Sequence, residues 1–232
     1  MGLPLPFRTL HTMSLSTAST ILLLAIAGVS SWNQPSPSPT AQEVAVSLQR
    51  KYDAIRDFST DFVHRYEGGA LRRTREERGT LQVKKPGKMR WEYTGAEQKL
   101  FVSNGVKAYQ YLPEEKRVIV SNAPEDDDSA VLFLAGKGSL TRDFNVSFGQ
   151  GSADAWTLRL EPKTPQSGYD WLEITAAHQT YALRSFTVGE KQGSRSTFTF
   201  TNFKENPGLP DKAFEFSIPR GVEVTSGGPV KR

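Results

Sequence analysis

The stretch GTLQVKKPGKMRWEY, residues 79–93, decides the fold class because apolar side chains alternate in it with polar ones. Apolar residues stand at every second position from Leu81 to Val83 and again from Met89 to Tyr93. Successive side chains of a β-strand point to opposite faces, so a period of two predicts strands with one buried face. The pattern therefore indicates a sheet and not a bundle of helices.

The same two-residue period recurs along most of the chain, with turn-forming residues between the apolar runs. The further runs are residues 58–62, 100–102, 109–111, 118–120, 144–148, 156–160, 171–174, 186–188, 198–200 and 214–218. Asn104-Gly105 separates two of these runs and favours a two-residue hairpin, because both residue types tolerate a positive φ. Short strands at nearly regular spacing predict an antiparallel sheet that curls or closes. We predict one mature domain, residues 41–232, that is mainly β with a few helices (α+β).

Two segments of the chain have helical patterns. Thr40 and Glu43 have the spacing of a capping box, and an apolar stripe follows at helical intervals. The stripe consists of Val44, Leu48, Tyr52 and Ile55. The second segment is residues 129–135, where an apolar run follows a capping Asp or Ser and ends at Gly136 and Gly138. We therefore predict an N-terminal amphipathic helix and one short apolar helix within the strand region.

Residues 1–31 have the pattern of a secretory signal peptide, with a basic leader, an apolar core and small residues at the end. The apolar core at residues 21–29 is shorter than the roughly 20 residues that span a bilayer. We expect cleavage after Ser31 or after Ala27, and an uncleaved N-terminal anchor is the alternative. Residues 32–40 are rich in proline and serine and predict an extended linker outside the fold.

The composition excludes several classes of protein. The formal net charge is only +4, from 29 basic and 25 acidic residues that are interspersed, so a dedicated nucleic-acid-binding protein is not expected. The chain has no cysteine, which excludes disulfides, zinc–thiolate sites, iron–sulfur clusters and a lipid anchor on an N-terminal cysteine. Hydrophobic residues make up 37% of the chain, which is enough to build a core.

Motifs for catalysis or metal binding are scarce. Of the histidines, only His64 and His178 follow the signal peptide, and each is interpreted as a surface or satisfied core residue. The acidic run at residues 125–128 lacks the ligand spacing and the glycine of an EF-hand loop, and is interpreted as a solvated loop. We therefore predict no catalytic residue, no metal and no cofactor. The alternative, an enzyme, would have to rely on the two histidines and scattered carboxylates.

Large apolar side chains are abundant on the predicted strands of this chain. Small closed barrels fill their interiors with such residues, so a fully packed core is one interpretation. The other is a cavity, because aromatic residues dominate the strands and two amphipathic or apolar helices are available to cover a concave face. Aromatic walls with few polar groups suit long, featureless ligands such as acyl chains. The residue pattern leaves both interpretations open.

Several segments resemble the outer-membrane lipoprotein carrier family, LolA. The segments that carry the resemblance are residues 58–62, 79–93, 102–105, 109–111 and 214–224. They follow one another in the family's order and cover essentially the whole mature chain from about Gln42 to Val224. The block at residues 79–93, with its pattern Leu-x-Val-basic-basic-Pro-Gly-x-x-x-Trp-x-Tyr, is the most specific of them.

The resemblance implies an unclosed antiparallel β-barrel with a helical lid over a hydrophobic cavity. In that family the cavity takes the acyl chains of lipoproteins that an inner-membrane ABC complex releases. The carrier then shields the chains across the periplasm and passes them to a lipoprotein acceptor at the outer membrane. We therefore expect a periplasmic, monomeric carrier of acylated lipoproteins. A lipid-sensing regulatory protein on the same fold is the alternative function, although such sensors usually carry another domain.

The resemblance also suggests site residues. The family's arginine before the proline, which holds the lid, corresponds to Lys85, and a lysine keeps the charge but loses the planar set of donors. Leu132 and Phe133 are the expected lid residues. Strand parity supplies the expected cavity residues, although one bulge would reverse it. These are Phe62, Met89, Trp91, Tyr93, Phe101, Phe144, Trp156 and Phe186.

Overall fold

The structure is a computed structural model that describes residues 38–69, 73–123 and 133–227. The predicted signal peptide, residues 32–37 of the predicted linker, the 125–128 loop and Leu132 lie outside the described residues. Within the described residues, none of the helices has the length and apolar character needed to cross a membrane.

Helix α1, Ala41–Asp53, begins as its sequence predicts. The Thr40 hydroxyl accepts a hydrogen bond from the Glu43 backbone N–H, and the Glu43 carboxylate accepts one from the Thr40 N–H at 2.8 Å. This reciprocal arrangement satisfies donors that the first turn of a helix leaves free, and it confirms the capping box. All four residues of the predicted apolar stripe are buried.

Twelve strands form most of the remaining described residues. They are β1 Asp57–Glu67, β2 Thr74–Lys84, β3 Lys88–Thr94, β4 Lys99–Asn104, β5 Lys107–Leu112, β6 Arg117–Asn122, β7 Phe144–Phe148, β8 Ala155–Pro162, β9 Tyr169–Ala177, β10 Leu183–Glu190, β11 Arg195–Glu205 and β12 Glu223–Ser226. They make one sheet in the order β12-β6-β5-β4-β3-β2-β1-β11-β10-β9-β8-β7. All neighbours are antiparallel except β12 and β6, which are parallel. The sheet curls but ends at two edges, β7 and β12, which confirms the predicted unclosed barrel.

A hairpin joins β4 and β5 next to the predicted Asn104-Gly105, but its two loop residues are Gly105 and Val106, one position later than predicted. Gly105 alone takes a positive φ, of 91°. Asn104 instead accepts hydrogen bonds through its side-chain oxygen from the backbone N–H groups of Val106 and Lys107, at 2.9 and 2.8 Å. Asparagine therefore stabilises this turn as a side-chain cap, while glycine supplies the backbone conformation.

One face of the sheet carries the main core, and we call it the inner face because α1 packs on it. Its buried residues come from α1 and from strands along most of the sheet. Helix α1 lies against β7 and β8 and against a second, four-residue helix, α2 (Leu140–Asp143). The Ser139 side chain caps α2, which the sequence analysis did not predict. This helix is too short to leave a periodic apolar pattern.

The prediction of a strand at residues 214–218 is wrong. Residues Asp211–Phe214 form a 3₁₀ turn that lies against β3 and β4, and the chain then runs without strand pairing to β12. Phe214 is fully buried, and the Phe216 ring contacts Tyr109 and Tyr111 on the outer face of the sheet. Phe214 and Phe216 therefore pack on the sheet from an irregular segment without strand pairing, and Ile218, the third residue of the predicted strand, is exposed.

Candidate functional site

The eight predicted cavity residues on strands all point to the inner face. In the register, Phe62 pairs with Gly79, which pairs with Tyr93, while Trp91 pairs with Phe101. Directly paired residues share a face, so strand parity predicted the orientation correctly here. The most buried members are Phe62, Met89, Trp91 and Phe186. Tyr93, Phe101, Phe144 and Trp156 are partly buried and pack against the core.

Four aromatic rings meet near the centre of the inner face. The Phe62 ring contacts Trp91 and Tyr93 edge to face, with centroid separations of 5.2 and 5.0 Å. Phe198, which was not among the predicted site residues, contacts Trp91 with ring centroids 5.1 Å apart. Gly79 makes this cluster possible, because a Cβ atom there would stand 2.7 Å from the Phe62 ring. The rings form one continuous wall with favourable mutual geometry.

A groove opens beside this wall. It has a volume of about 320 Å³, at the lower end of the range for ligand pockets, and it is open to solvent on one side. Three of the predicted cavity residues, Trp91, Tyr93 and Phe101, line it together with Phe198 and Leu100. The remaining lining residues are polar: His64, Glu77, Lys99 and Gln110.

The other predicted cavity residues lie away from the groove. Phe186 and Met89 are embedded in the core. Trp156 stacks on Phe148 and contacts His178 near the β7 edge of the sheet. Phe144 borders a separate cavity of about 130 Å³ beside α2. A face of the sheet thus holds all eight residues, but the groove itself uses three.

The described end of the predicted lid helix is a turn, residues 133–136, which we call the lid turn. Phe133 is 7% exposed, and its ring stacks on Tyr52 of α1 with centroids 4.8 Å apart. The Tyr52 hydroxyl donates a 2.7 Å hydrogen bond to the Leu134 carbonyl oxygen, and burial raises the pKa of Tyr52 well above its ordinary value. The Gly87 N–H donates to the Ala135 carbonyl at 3.0 Å. These contacts tie the lid turn to both α1 and the β2–β3 connection.

Lys85, the predicted latch residue, lies where these three elements meet. Its ammonium group donates to the Tyr52 carbonyl oxygen and stands 3.6 Å from the centroid of the Tyr52 ring. Its aliphatic stem packs so closely on Gly136 that a Cβ atom there would be 2.5 Å from the Lys85 Cδ. Gly136 also has a φ of +76°, so both space and backbone conformation require glycine. Burial lowers the pKa of Lys85 to about 8, against the opposing effect of Asp53.

Three ionisable side chains at one end of the groove were not predicted as site residues. Glu77 pairs with His64 across β1 and β2, and its carboxylate stands 3.5 Å from the His64 Nδ1. The Lys99 Nζ lies 2.6 Å from the other oxygen of Glu77. Glu77 stands two residues before Gly79, and Lys99 two residues before Phe101, so strand parity places both on the inner face. The alternation therefore predicts that Glu77 and Lys99 point inward, but polar residues were not considered as cavity residues.

Comparisons with known proteins show that the chain is similar to outer-membrane lipoprotein carrier proteins. Residues 53–217 match the family described as "Outer membrane lipoprotein carrier protein LolA". An outer-membrane lipoprotein carrier protein of Chromohalobacter salexigens is 27% identical over 186 residues, which cover 79% of this chain and 87% of that protein. One from Legionella pneumophila is 28% identical over 189 residues, which cover 81% and 90%.

A solved structure shares the fold. It is that of an uncharacterized conserved protein from Thermus thermophilus, with a TM-score of 0.50 and 11% identity over 79% of this chain and 99% of that one. At that identity the likeness concerns the architecture alone.

Proposed function

The chain belongs to the LolA family of outer membrane lipoprotein carrier proteins, and from this premise we propose that it carries lipoproteins by holding their acyl chains on the inner face of its sheet. The lipoprotein carriers of this family are non-enzymatic chaperones that act in the periplasm. For this chain we propose the full route of the family: uptake of acylated lipoproteins from an inner-membrane ABC complex and delivery to an outer-membrane acceptor, by a monomeric carrier.

The observation that carries the proposal is the groove of Trp91, Tyr93, Phe101 and Phe198, whose wall belongs to the same continuous apolar cluster as a lid turn held by a few contacts. Each methylene that an aromatic wall buries contributes about 0.8 kcal/mol. A long acyl chain therefore gains several kcal/mol after the cost of ordering it. No covalent step is needed for this, since burial and release are reversible.

We propose that the groove enlarges when the lid turn leaves Tyr52. The groove of about 320 Å³ is small for the several chains of a lipoprotein, whereas the inner face continues beneath the lid turn as a run of buried apolar side chains. Opening requires the separation of the Phe133 and Tyr52 rings, the loss of the Tyr52–Leu134 hydrogen bond and the withdrawal of Lys85. Loading would replace these contacts by contacts with lipid.

A displacement assay tests the proposal directly. Purified protein is titrated with N-phenyl-1-naphthylamine, a dye that fluoresces in apolar surroundings, and then with a synthetic tripalmitoylated cysteinyl peptide. We expect the dye to bind and the lipopeptide to displace it, whereas the same peptide without acyl chains should not. Protein that binds neither compound has a fully packed interior, and that result would overturn the carrier proposal.

Export is a separate proposal, because it rests on residues 1–31. We propose that the signal peptide is removed and that the mature N-terminus lies between Gly28 and Trp32. N-terminal sequencing of protein from the periplasmic fraction tests this, and an intact Met1 in that fraction would contradict it.

A further inference from the structure

The groove is not purely apolar: Gln110 on β5 lies beside Phe101, and three ionisable side chains are concentrated at one end. His64, Glu77 and Lys99 come from three strands, β1, β2 and β4, and converge there. Glu77 is the central group, 2.6 Å from the Lys99 Nζ and 3.5 Å from the His64 Nδ1. We call these three residues the polar end of the groove.

A contribution to the stability of the fold does not explain why charged residues stand at the polar end. The side chains of His64, Glu77 and Lys99 are only 15%, 14% and 26% exposed. Withdrawing an ion pair from water costs free energy that the mutual attraction rarely exceeds, and well-packed apolar residues often serve as well or better. Apolar residues at these positions would also suit bare hydrocarbon better. A ligand with a polar group beside the aromatic wall would account for these charges.

The polar end offers both donors and an acceptor to such a group. Lys99 has three N–H donors and is paired with Glu77 by charge, while the Glu77 Oε1 accepts no hydrogen bond from a described residue. The two ring nitrogens of His64 are buried and make no hydrogen bond to a described residue. The His64 ring is held flat against Phe198, with centroids 4.2 Å apart and planes within 7°. Burial lowers the pKa of His64, so at neutral pH the ring presents one donor and one acceptor.

We propose that His64, Glu77 and Lys99 bind the polar root of the acyl chains, where ester and amide carbonyls join the chains to the lipoprotein, while Trp91, Phe101 and Phe198 hold the hydrocarbon. This inference rests on the proposed function and adds to it the register in which the lipid lies. Lys99 and His64 donate to carbonyl oxygens, and Glu77 balances the charge of Lys99 and accepts from a peptide N–H. A carbonyl bound there fixes where the chains begin and directs the polypeptide out of the open side of the groove.

Paired variants separate the polar contacts from the apolar ones. Glu77→Gln with Lys99→Met removes both charges together, so neither is left buried without its partner. The matched control is Arg90→Met with Glu92→Gln, which removes an ion pair of 3.2 Å between neighbouring side chains on the outer face of β3. Both proteins are compared with the wild type by thermal unfolding and by titration with three probes. These are the naphthylamine dye, the tripalmitoylated cysteinyl peptide and palmitate.

We expect the Glu77/Lys99 variant to bind the lipopeptide about tenfold more weakly, as the loss of a hydrogen bond from a charged donor predicts. Its affinity for the dye should equal that of the wild type. The Arg90/Glu92 variant should resemble the wild type with every probe. The inference would be overturned if the Glu77/Lys99 variant bound the lipopeptide with wild-type affinity, or if its affinities for dye and lipopeptide fell equally. The carrier proposal would stand in both cases. Weakening with palmitate but not with the lipopeptide would also overturn it, because the site would then serve a free acid.

Failure of the wild type to bind either dye or lipopeptide is a different result, since it overturns the carrier proposal itself. A second variant keeps the test decisive if the Glu77/Lys99 protein does not fold. His64→Phe preserves the ring stacked on Phe198 and removes only the ring nitrogens. We expect it to weaken lipopeptide binding severalfold without affecting dye binding. A variant that binds both probes with wild-type affinity would count against the proposed role of the polar end.

Discussion

The two halves of the inner face are built from the same alternating apolar strands but serve different purposes. In the half formed by β7 to β10, α1 packs against β7 and β8, and side chains such as Ile174 and Phe186 are completely buried. In the half formed by β3 to β5, Tyr93 and Phe101 remain partly exposed and line the groove. We call these the covered half and the open half.

An aromatic strand residue therefore does not identify a binding site by itself. An apolar side chain stabilises the fold when another part of the chain covers it, and it is available to a ligand when nothing does. Position along the sheet relative to α1 and the lid turn therefore decides the role of each residue. Substitutions in the covered half should therefore lower stability, and substitutions in the open half should weaken ligand binding.

The largest effect is expected in the covered half. Phe186→Ala removes a ring that is 0% exposed and leaves a cavity, so the free energy of unfolding should fall by about 3–5 kcal/mol. Urea denaturation measures this loss. The dye affinity of the folded fraction should be close to that of the wild type, because Phe186 does not line the groove. A variant with normal stability and weakened dye binding would show that Phe186 belongs to the binding surface instead.

A smaller loss of stability, but a faster uptake of dye, is expected from Phe133→Asp at the boundary between the halves. The change removes the stacking on Tyr52 and places a charge that must be desolvated whenever the lid turn closes. Because the lid turn can open and return the charge to water, the cost should not exceed the burial of one aromatic ring, about 1.5–3 kcal/mol. Stopped-flow fluorescence and thermal unfolding measure the two effects.

Two outcomes would contradict this assignment of Phe133. A Phe133→Asp protein that does not fold would place the residue in the structural core. A protein with unchanged stability and uptake would show that the ring does not control access. Transfer of a lipoprotein should be poor in the expected case, since a lid that stays open does not shield the chains.

In the open half we expect a change of affinity with little change of stability. Phe101→Ala removes a partly exposed ring from the groove and should weaken dye binding severalfold. The matched control is Phe216→Ala, which removes a ring of the same type from the outer face. Isothermal titration with the dye should separate the two variants, and equal affinities would mean that the dye binds elsewhere.

The smallest effect is the pH dependence of the latch. With the lid turn closed, burial lowers the pKa of Lys85 to about 8, from 10.5 for an ordinary lysine. Opening would return Lys85 to water, so between these two values the open state binds more protons than the closed state. Rising pH therefore favours the closed state. Dye uptake by the wild type should slow as the pH rises from about 8 towards 10.

Lys85→Arg is the control for the latch, because arginine stays protonated throughout this range. Its uptake rate should be independent of pH. A wild-type rate that does not change with pH, or a Lys85→Arg rate that changes as much, would show that Lys85 does not control the lid turn.

The local features of the fold were predictable from sequence. The capping box at Thr40 and Glu43, the alternation in residues 79–93 and the turn at Asn104-Gly105 each depend on residues within a few positions of one another. Such patterns act through backbone geometry and side-chain direction, which a short segment already determines. The same alternation also indicated which side chains of each strand point inward.

The long-range arrangement was decided by the tertiary structure. Helix α1 covers some of the inward-pointing residues and leaves others in the groove. This division depends on elements that are far apart in the chain. Glu77 and Lys99 show this best, since each is an ordinary polar residue in its own strand and they meet only across the sheet. Phe214 likewise follows a strand-like pattern that packing, and not pairing, produces. Sequence alone determined strands and their faces, because these are local properties; the groove and its polar end required the curled sheet that brings distant strands together.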